Sequence, residues 1–360
     1  MLEDFAVIVG QCFAENMPAG HLYNGRRVYV RNQAIRRPFQ EDFNGQAGIE
    51  PILGPMHVYP MGENFRWLDF EQDHIREQCR GKTGQGIYMG TAGLMSLNHL
   101  AASESQAAVL FDINPLQTVF WRHVLKALRS EATPAGFFDR LKDPDFENNL
   151  LQDLGSLTKT LKYGIYRNYG RTLKENIERL LSKEIDGTDW REEDSIYQEN
   201  NYNHVRALAM RNAIAPVTMD LSDPAALFSV DAAVRKAGPH AYLACQYLSN
   251  IFEATGVPRG EHRGVRFAAD GRTVIGDAQQ KRVACLWEGA EKPVQDVIYA
   301  AHFLNAMMDP HKEGCRIHGY QMSRLIPVTQ SAIAESRQWV QERNCLTVHG
   351  NRKSAAMCFN

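Results

Sequence analysis

The chain has 360 residues, 44% hydrophobic and 23% charged, which is enough apolar material for a large core and excludes a disordered polymer. Lys and Arg number 40 against 42 Asp and Glu, a formal charge of −2, so there is no overall basic footprint and no nucleic-acid partner is expected. No apolar run approaches the roughly 20 residues that cross a bilayer, and Met1-Leu2-Glu3-Asp4 lacks a basic n-region, so neither a membrane span nor a signal peptide is expected.

In chain order, Gly45 to Met61 carries three prolines and three glycines and predicts extended loop. Glu71 to Cys79 predicts a short helix. Gly86 to Met89 is the first strong strand; it runs into Gly90-Thr91-Ala92-Gly93 and then a helix from Leu94 to Ala102, with Leu94, Leu97 and Leu100 at spacing three. Ala107 to Phe111 is a continuous apolar run ending in Asp112, the pattern of a strand buried on both faces of a parallel sheet. Pro115 then opens a helix expected over Leu116 to Leu128.

The stretch from about 129 to 204 is rich in charge and helix formers, as in Leu173 to Lys183, and predicts a helical insertion with a polar loop over Gly187 to Asp194. Strand signals return at Ala215 to Met219, which ends in Asp220, and at Ala241 to Leu248, which ends in Ser249-Asn250; Pro224 to Ala237 between them predicts a helix. Val265 to Ala268 and Thr273 to Ile275 flank Asp270-Gly271 and predict a hairpin. Val283 to Trp287 predicts a strand, and Val294 to Met308 and Ser331 to Arg343 predict helices.

Alternating strands and helices predict an α/β fold, a Rossmann-like open sheet with a helical insertion between the second and third core strands. The domain boundaries that follow are an N-terminal extension over 1–80, the core over 81–290 with its insertion at about 129–204, and a C-terminal helical segment over 291–360.

Four positions fall at successive strand ends. Gly90-x-x-Gly93 is a glycine turn between a strand and a helix, where a ligand can approach the backbone at a helix N-terminus. Asp112 follows Gly90 by about 20 residues, the spacing at which a carboxylate meets ribose hydroxyls. Asp220 and Ser249-Asn250 end the next two strands. Ligands of open α/β sheets bind outside the carboxyl ends of the strands, so the four together predict a nucleoside site. The turn reads G-T-A-G and lacks the second glycine that a pyrophosphate wants, which disfavours a dinucleotide. S-adenosylmethionine, with a ribose and an adenine but no phosphate, fits better: the turn for its amino-acid portion, Asp112 for the ribose, Asp220 near the adenine.

Tyr88-Met89-Gly90-Thr91-Ala92-Gly93 followed by Val109-Leu110-Phe111-Asp112-Ile113-Asn114 resembles motif I and the acidic loop of class I S-adenosylmethionine-dependent methyltransferases. Asn201-Tyr202, Arg211 to Asp220 and Tyr247-Leu248-Ser249-Asn250 resemble stretches of a group of uncharacterised bacterial methyltransferase-like proteins, which carry a similar helical insertion. The resemblance covers roughly residues 80 to 255. It implies S-adenosylmethionine as cofactor, with contacts from Tyr88, Gly90, Thr91, Gly93, Asp112, Asn114, Asp220 and Ser249, and methyl transfer near Ser249-Asn250. Such a transfer is an in-line displacement governed by proximity, and a base is needed only for a protonated acceptor. Tyr247, Asn250 and Glu253 are the candidates for that chemistry, and the acceptor is a small molecule or a protein. A nicotinamide-dependent oxidoreductase, or a non-catalytic binding protein that retains the fold, is the alternative.

Other chemistries find less support. Seven cysteines form no CxxC pair and predict reduced thiols in a cytoplasmic protein. Asp309, His311 and His318 match no zinc spacing, so no metal is expected. Gly81-Lys82-Thr83 lacks the earlier glycine of a phosphate loop, and no GxSxG elbow occurs. Tyr197 and Tyr202, on the insertion, are placed to close over a ligand or, by the commoner role, to pack.

Overall fold

The computed structural model describes residues 2–16, 58, 75–76, 85–91, 93–112, 115–158, 173–182, 190–191, 195–219, 224–247, 266–267, 274–275, 334 and 338. The fold is mixed α/β. Three parallel strands form a small sheet in the order β3-β2-β1, with β1 at Gln85–Gly90, β2 at Ala107–Asp112 and β3 at Ile214–Thr218; a further strand, β4, is at Ala241–Tyr247. β1 runs parallel to β2 in the register Ile87↔Ala107 to Gly90↔Leu110, and β2 runs parallel to β3 from Ala108↔Ile214 to Asp112↔Thr218.

The apolar run Ala107 to Phe111 is buried throughout, as a strand flanked on both sides and covered on both faces must be. β3 tolerates Pro216 because it is an edge strand, where a missing N–H removes no ladder bond. The loss of burial from Pro216 onward agrees with that position.

Two compact units are distinguished: Met1–Val7 with Gln46–Thr218, and Ile8–Gly45 with Met219–Asn360. In the first, β1 leads into a helix at Met95–Ala102, which packs on β1, and then into β2. All eight residues of that helix are buried, Ser96, Asn98 and His99 included, so it is covered all round rather than on the single face suggested by its leucine spacing.

The next helix, Pro115–Ser130, packs on β2 and β3. It buries Phe120, Trp121, Val124, Leu125, Ala127 and Leu128, a stripe recurring at three and four residues, and exposes Arg122 and Lys126 opposite. Each such aromatic or leucine contributes about 1.5–3 kcal/mol on burial.

The segment between this helix and β3 is helical, as the charge and composition predict. It contains helices at Pro134–Lys142, Pro144–Thr158, Leu173–Leu180 and Glu199–Met210. Thr133 caps the first of them, its hydroxyl accepting from Gly136 N–H at 3.1 Å ahead of Pro134. Asp143 caps the second, its carboxylate accepting from Asp145 N–H at 2.8 Å.

Inside the segment is an aromatic core. Phe137 packs edge-on to Phe138 and against Tyr202, and Phe138 packs edge-on to Trp190 and stacks on Tyr197. Trp190 is fully buried, which a lone indole in a charged stretch has no periodicity to announce; Trp190 and Arg191 lie in a turn, and the rest of the polar loop predicted over Gly187 to Asp194 lies outside the described residues.

The Glu199–Met210 helix ends in a Schellman motif. Asn212, in the left-handed region at φ 55, donates its N–H to Ala209 O at 3.1 Å, and Ala213 N–H reaches Leu208 O at 2.9 Å. The first turn of the chain docks on this exit, Asp4 N–H donating to Arg211 O and Ala6 N–H to Asn212 O, both at 3.0 Å.

In the second unit, the helix Pro224–Ala237 packs on β4 and coincides with its predicted span. Gly238, at φ 146, makes the turn between them in a conformation few other residues adopt. Lys236 Nζ bonds the Glu15 carboxylate at 2.8 Å, on the helix that begins the chain, Phe5–Asn16. β5 (Arg266–Phe267) and β6 (Val274–Ile275) pair antiparallel, Arg266↔Ile275 and Phe267↔Val274, as the Asp-Gly signal predicts. The elements predicted at Gly45 to Met61, Val283 to Trp287 and Val294 to Met308 lie outside the described residues, apart from a buried Val58. Those predicted at Glu71 to Cys79 and Ser331 to Arg343 are described only at Ile75, Arg76, Ala334 and Gln338, all helical.

Candidate functional site

The site is built at the carboxyl ends of β1 to β3. β1 stops at Gly90, and Ser96 N–H and Leu97 N–H donate to Gly93 O and Leu94 O, both at 3.0 Å, closing the turn into the following helix. Side chains two apart on a strand share a face, and the Tyr88 ring lies over Gly90. A methyl group added at Gly90 would come within 2.8 Å of Tyr88 Cε1 and nearer still to its Cζ and hydroxyl. Gly90 is therefore required by the packing of its own strand. Tyr88 is fully buried, its hydroxyl 3.4 Å from Nδ1 of the equally buried His99.

Thr91, the first residue beyond β1, donates its hydroxyl to Asp112 Oδ2 at 3.4 Å. This brings the turn and the acid at the end of β2 together, and both residues are half-buried. Asp112 pairs in register with Thr218 at the end of β3, and Thr218 Oγ1 lies 2.7 Å from Thr118 Oγ1 in the first turns of the Pro115–Ser130 helix. A row of polar groups, Thr91, Asp112, Thr218 and Thr118, thus follows the carboxyl edge of three neighbouring strands. The row offers hydroxyls as donors or acceptors and one carboxylate as acceptor.

Sequence reasoning singled out Thr91 and Asp112 and missed Thr118 and Thr218. The signal for Thr118 was a polar residue three before Trp121 and seven before Leu125, on the apolar stripe of its helix at the end nearest the strand tips. Gly93 is buried in the turn. Tyr247, the last residue of β4, is 2% exposed. Asn114, Asp220, Ser249, Asn250 and Glu253 lie outside the described residues, as do Asp309, His311 and His318.

The remaining motif residues pack. Tyr202 is fully buried and donates its hydroxyl to Glu131 O at 2.9 Å; burial, partly offset by Arg206, pushes its phenol up to about 12. Asn201 Nδ2 donates to Ser195 O at 3.1 Å, and Asn98 Oδ1 accepts from Ile196 N–H at 2.9 Å, fixing the 195–198 turn to the buried helix. His204 donates Nε2–H to Ser105 O at 3.0 Å, and burial lowers its imidazole below the ordinary range. Cys12 and Cys245 are buried, and burial raises the thiol of Cys12 despite the neighbouring Lys236. Among the described residues no group of three or more His, Cys, Asp or Glu could hold a metal ion, and no helix is long and apolar enough to cross a membrane.

Residues 63–332 match a family described as a domain of unknown function (DUF7790). The chain belongs to the DUF7790 family. The matched stretch begins ahead of β1 and ends beyond β6, so the DUF7790 domain contains the whole polar row and every candidate site residue from Tyr88 to Glu253. No curated protein matches the chain.

Proposed function

We propose that this protein is an S-adenosylmethionine-dependent transferase, most simply a methyltransferase, acting on a small-molecule or protein acceptor. The observation that carries the reading is the Thr91–Asp112 contact, which sets an acid beside a glycine turn at the ends of adjacent parallel strands. Such strand tips are where nucleosides bind in open α/β sheets. In this reading the cofactor's amino-acid portion lies along Gly90 to Gly93, the ribose hydroxyls bond Asp112, and Asp220 serves the adenine. The sequence reading adds Asn114 and Ser249 to the cofactor's contacts, while Tyr88, fully buried between Gly90 and His99, serves it only by shaping the turn. The acceptor is oriented near Asn250, with Tyr247 or Glu253 taking its proton where it carries one.

The G-T-A-G turn favours a ligand without phosphates over a dinucleotide, because it lacks the glycine that admits a pyrophosphate. Seven cysteines without a CxxC pair fit a reducing compartment, the cytoplasm. Calorimetric titration of the purified chain with S-adenosylhomocysteine, and in parallel with NADH, tests the assignment. The expected outcome is a micromolar Kd for the first, about −8 kcal/mol, and no heat from the second. Saturable NADH binding alone would establish the oxidoreductase reading in its place, and binding of neither would leave a protein that keeps the fold for another ligand.

A further inference from the structure

We infer that the Thr118–Thr218 hydroxyl pair is a base-reading subsite, in which Thr218 donates a hydrogen bond to a purine ring nitrogen beside the amino group and Thr118 positions Thr218 for it. The inference rests on the cofactor reading above, with the ribose at Asp112.

The two hydroxyl oxygens lie 2.7 Å apart, and among the described residues each has the other as its only hydrogen-bond partner. A threonine hydroxyl carries one proton and two lone pairs. The bond between the two uses one proton and leaves the other over. Burial decides which. Thr118 is 7% exposed, whereas Thr218 is half-buried. A buried donor left unmet costs its full desolvation, so Thr118 donates and Thr218 accepts. The surplus proton is therefore the one on Thr218, at the open end of the pair. A hydroxyl that already accepts a bond is polarised into a better donor.

Thr218 ends β3 and is the register partner of Asp112, which ends β2. The tips of β1, β2 and β3 stand in a row at intervals of about 5 Å. A ligand with its amino-acid portion at the tip of β1 and its ribose at Asp112 carries its base towards β3. Adenine presents there an amino donor flanked by two ring acceptors, N1 and N7. A carboxylate such as Asp220 accepts from the amino group but has no proton for either nitrogen. Thr218, two residues earlier in the chain, supplies that donor. Thr118 comes from the Pro115–Ser130 helix, which packs on both β2 and β3, so the donor is directed from a second element held against the sheet.

The test titrates the full chain with adenosine and its 1-deaza, 3-deaza and 7-deaza analogues, by calorimetry or ligand-observed NMR, in wild type, Thr218→Val, Thr218→Ser and Thr118→Val. Each analogue replaces one ring nitrogen by CH. Val keeps the shape of Thr and loses the hydroxyl; Ser keeps the hydroxyl. Wild type is expected to bind either the 1-deaza or the 7-deaza analogue about 3- to 10-fold more weakly than adenosine, the scale of one net hydrogen bond, which names the nitrogen. The 3-deaza analogue, altered away from the amino group, is expected to bind as adenosine does. Thr218→Val should weaken adenosine to the level of the affected analogue while leaving that analogue unchanged. Thr218→Ser should restore the difference, and Thr118→Val should shrink it. Equal binding of adenosine and both the 1-deaza and 7-deaza analogues by wild type, or a difference that persists in full in Thr218→Val, would overturn the inference and leave the cofactor reading intact. A full difference in Thr118→Val would remove Thr118 from the subsite. Equal weakening of all four probes by Thr218→Val would show a residue that only joins helix to strand. No adenosine binding to wild type, or an adenosine affinity unchanged in Asp112→Ala, would overturn the cofactor reading and this inference together.

Discussion

Replacing Gly90 with alanine separates the two reasons a glycine can stand at the end of β1. The residue is not among the described glycines with positive φ, so alanine meets no backbone strain there, and the whole penalty comes from the Tyr88 ring. That ring cannot swing aside: it is fully buried and its hydroxyl faces His99. Forcing a methyl into such a packed site costs about 1–3 kcal/mol. Against this stands about 0.4–1 kcal/mol gained from the restricted unfolded chain, so the net loss is about 1–2 kcal/mol.

Tyr88→Leu removes Cε1, Cζ and the hydroxyl, the three atoms in the way. Tyr88→Phe removes only the hydroxyl and should rescue little. The double variant Gly90→Ala/Tyr88→Leu is therefore expected to be more stable than the sum of the single variants by about 1–2 kcal/mol, within the range of coupling for residues in contact. Urea unfolding followed by far-ultraviolet circular dichroism measures this, provided the m-value is constant across the four proteins. Additive losses, with coupling below about 0.5 kcal/mol, or an unchanged midpoint for Gly90→Ala, would refute the reasoning.

Two other predictions concern the frame around the site. Asn212→Ala should destabilise by about 1–2 kcal/mol from its left-handed φ alone, with a further loss from the Arg129 and Asp4 contacts at 3.3 and 3.5 Å; Asn212→Gly should lose less, and equal losses would place the cost in those side-chain contacts. His204 is held below its ordinary value of 6.5 by burial, so its folded form resists a proton that the unfolded chain accepts. Stability from this group is complete above about pH 6.5 and falls as the pH drops below it towards the folded value. An imidazole titration by NMR with a midpoint at or above 6.5 would contradict that, and His204→Gln should flatten the acid limb of the stability profile.

Elements whose cause is local were legible in the sequence. The apolar run Ala107 to Phe111, the Pro224–Ala237 helix and the Asp270-Gly271 hairpin each announce themselves within a few residues, and the strands and helix lie within a residue or so of where they were read. What depends on partners far along the chain was not legible. Trp190 is buried because Phe138 comes to meet it, and the helix over Met95–Ala102 is buried on every side because β1 and the Glu199–Met210 helix pack against it.

The candidate site divides in the same way. Gly90 and Asp112 follow from strand ends and spacing, whereas Thr118 and Thr218 are 100 positions apart and become neighbours only once β3 is laid beside β2. Tyr88 illustrates a third case. Its position two before Gly90 was visible throughout, yet only the strand boundaries put the two on one face and give the glycine its packing reason.

The most direct test of the central claim is calorimetric titration of S-adenosylhomocysteine into wild type and Asp112→Ala, side by side, with thermal unfolding as a check that both are folded. The account predicts micromolar binding to wild type and an affinity about 10- to 100-fold lower in the variant, the worth of hydrogen bonds to a charged group. Equal affinities would remove Asp112 from the ribose site, and no binding to wild type would contradict the proposed cofactor outright.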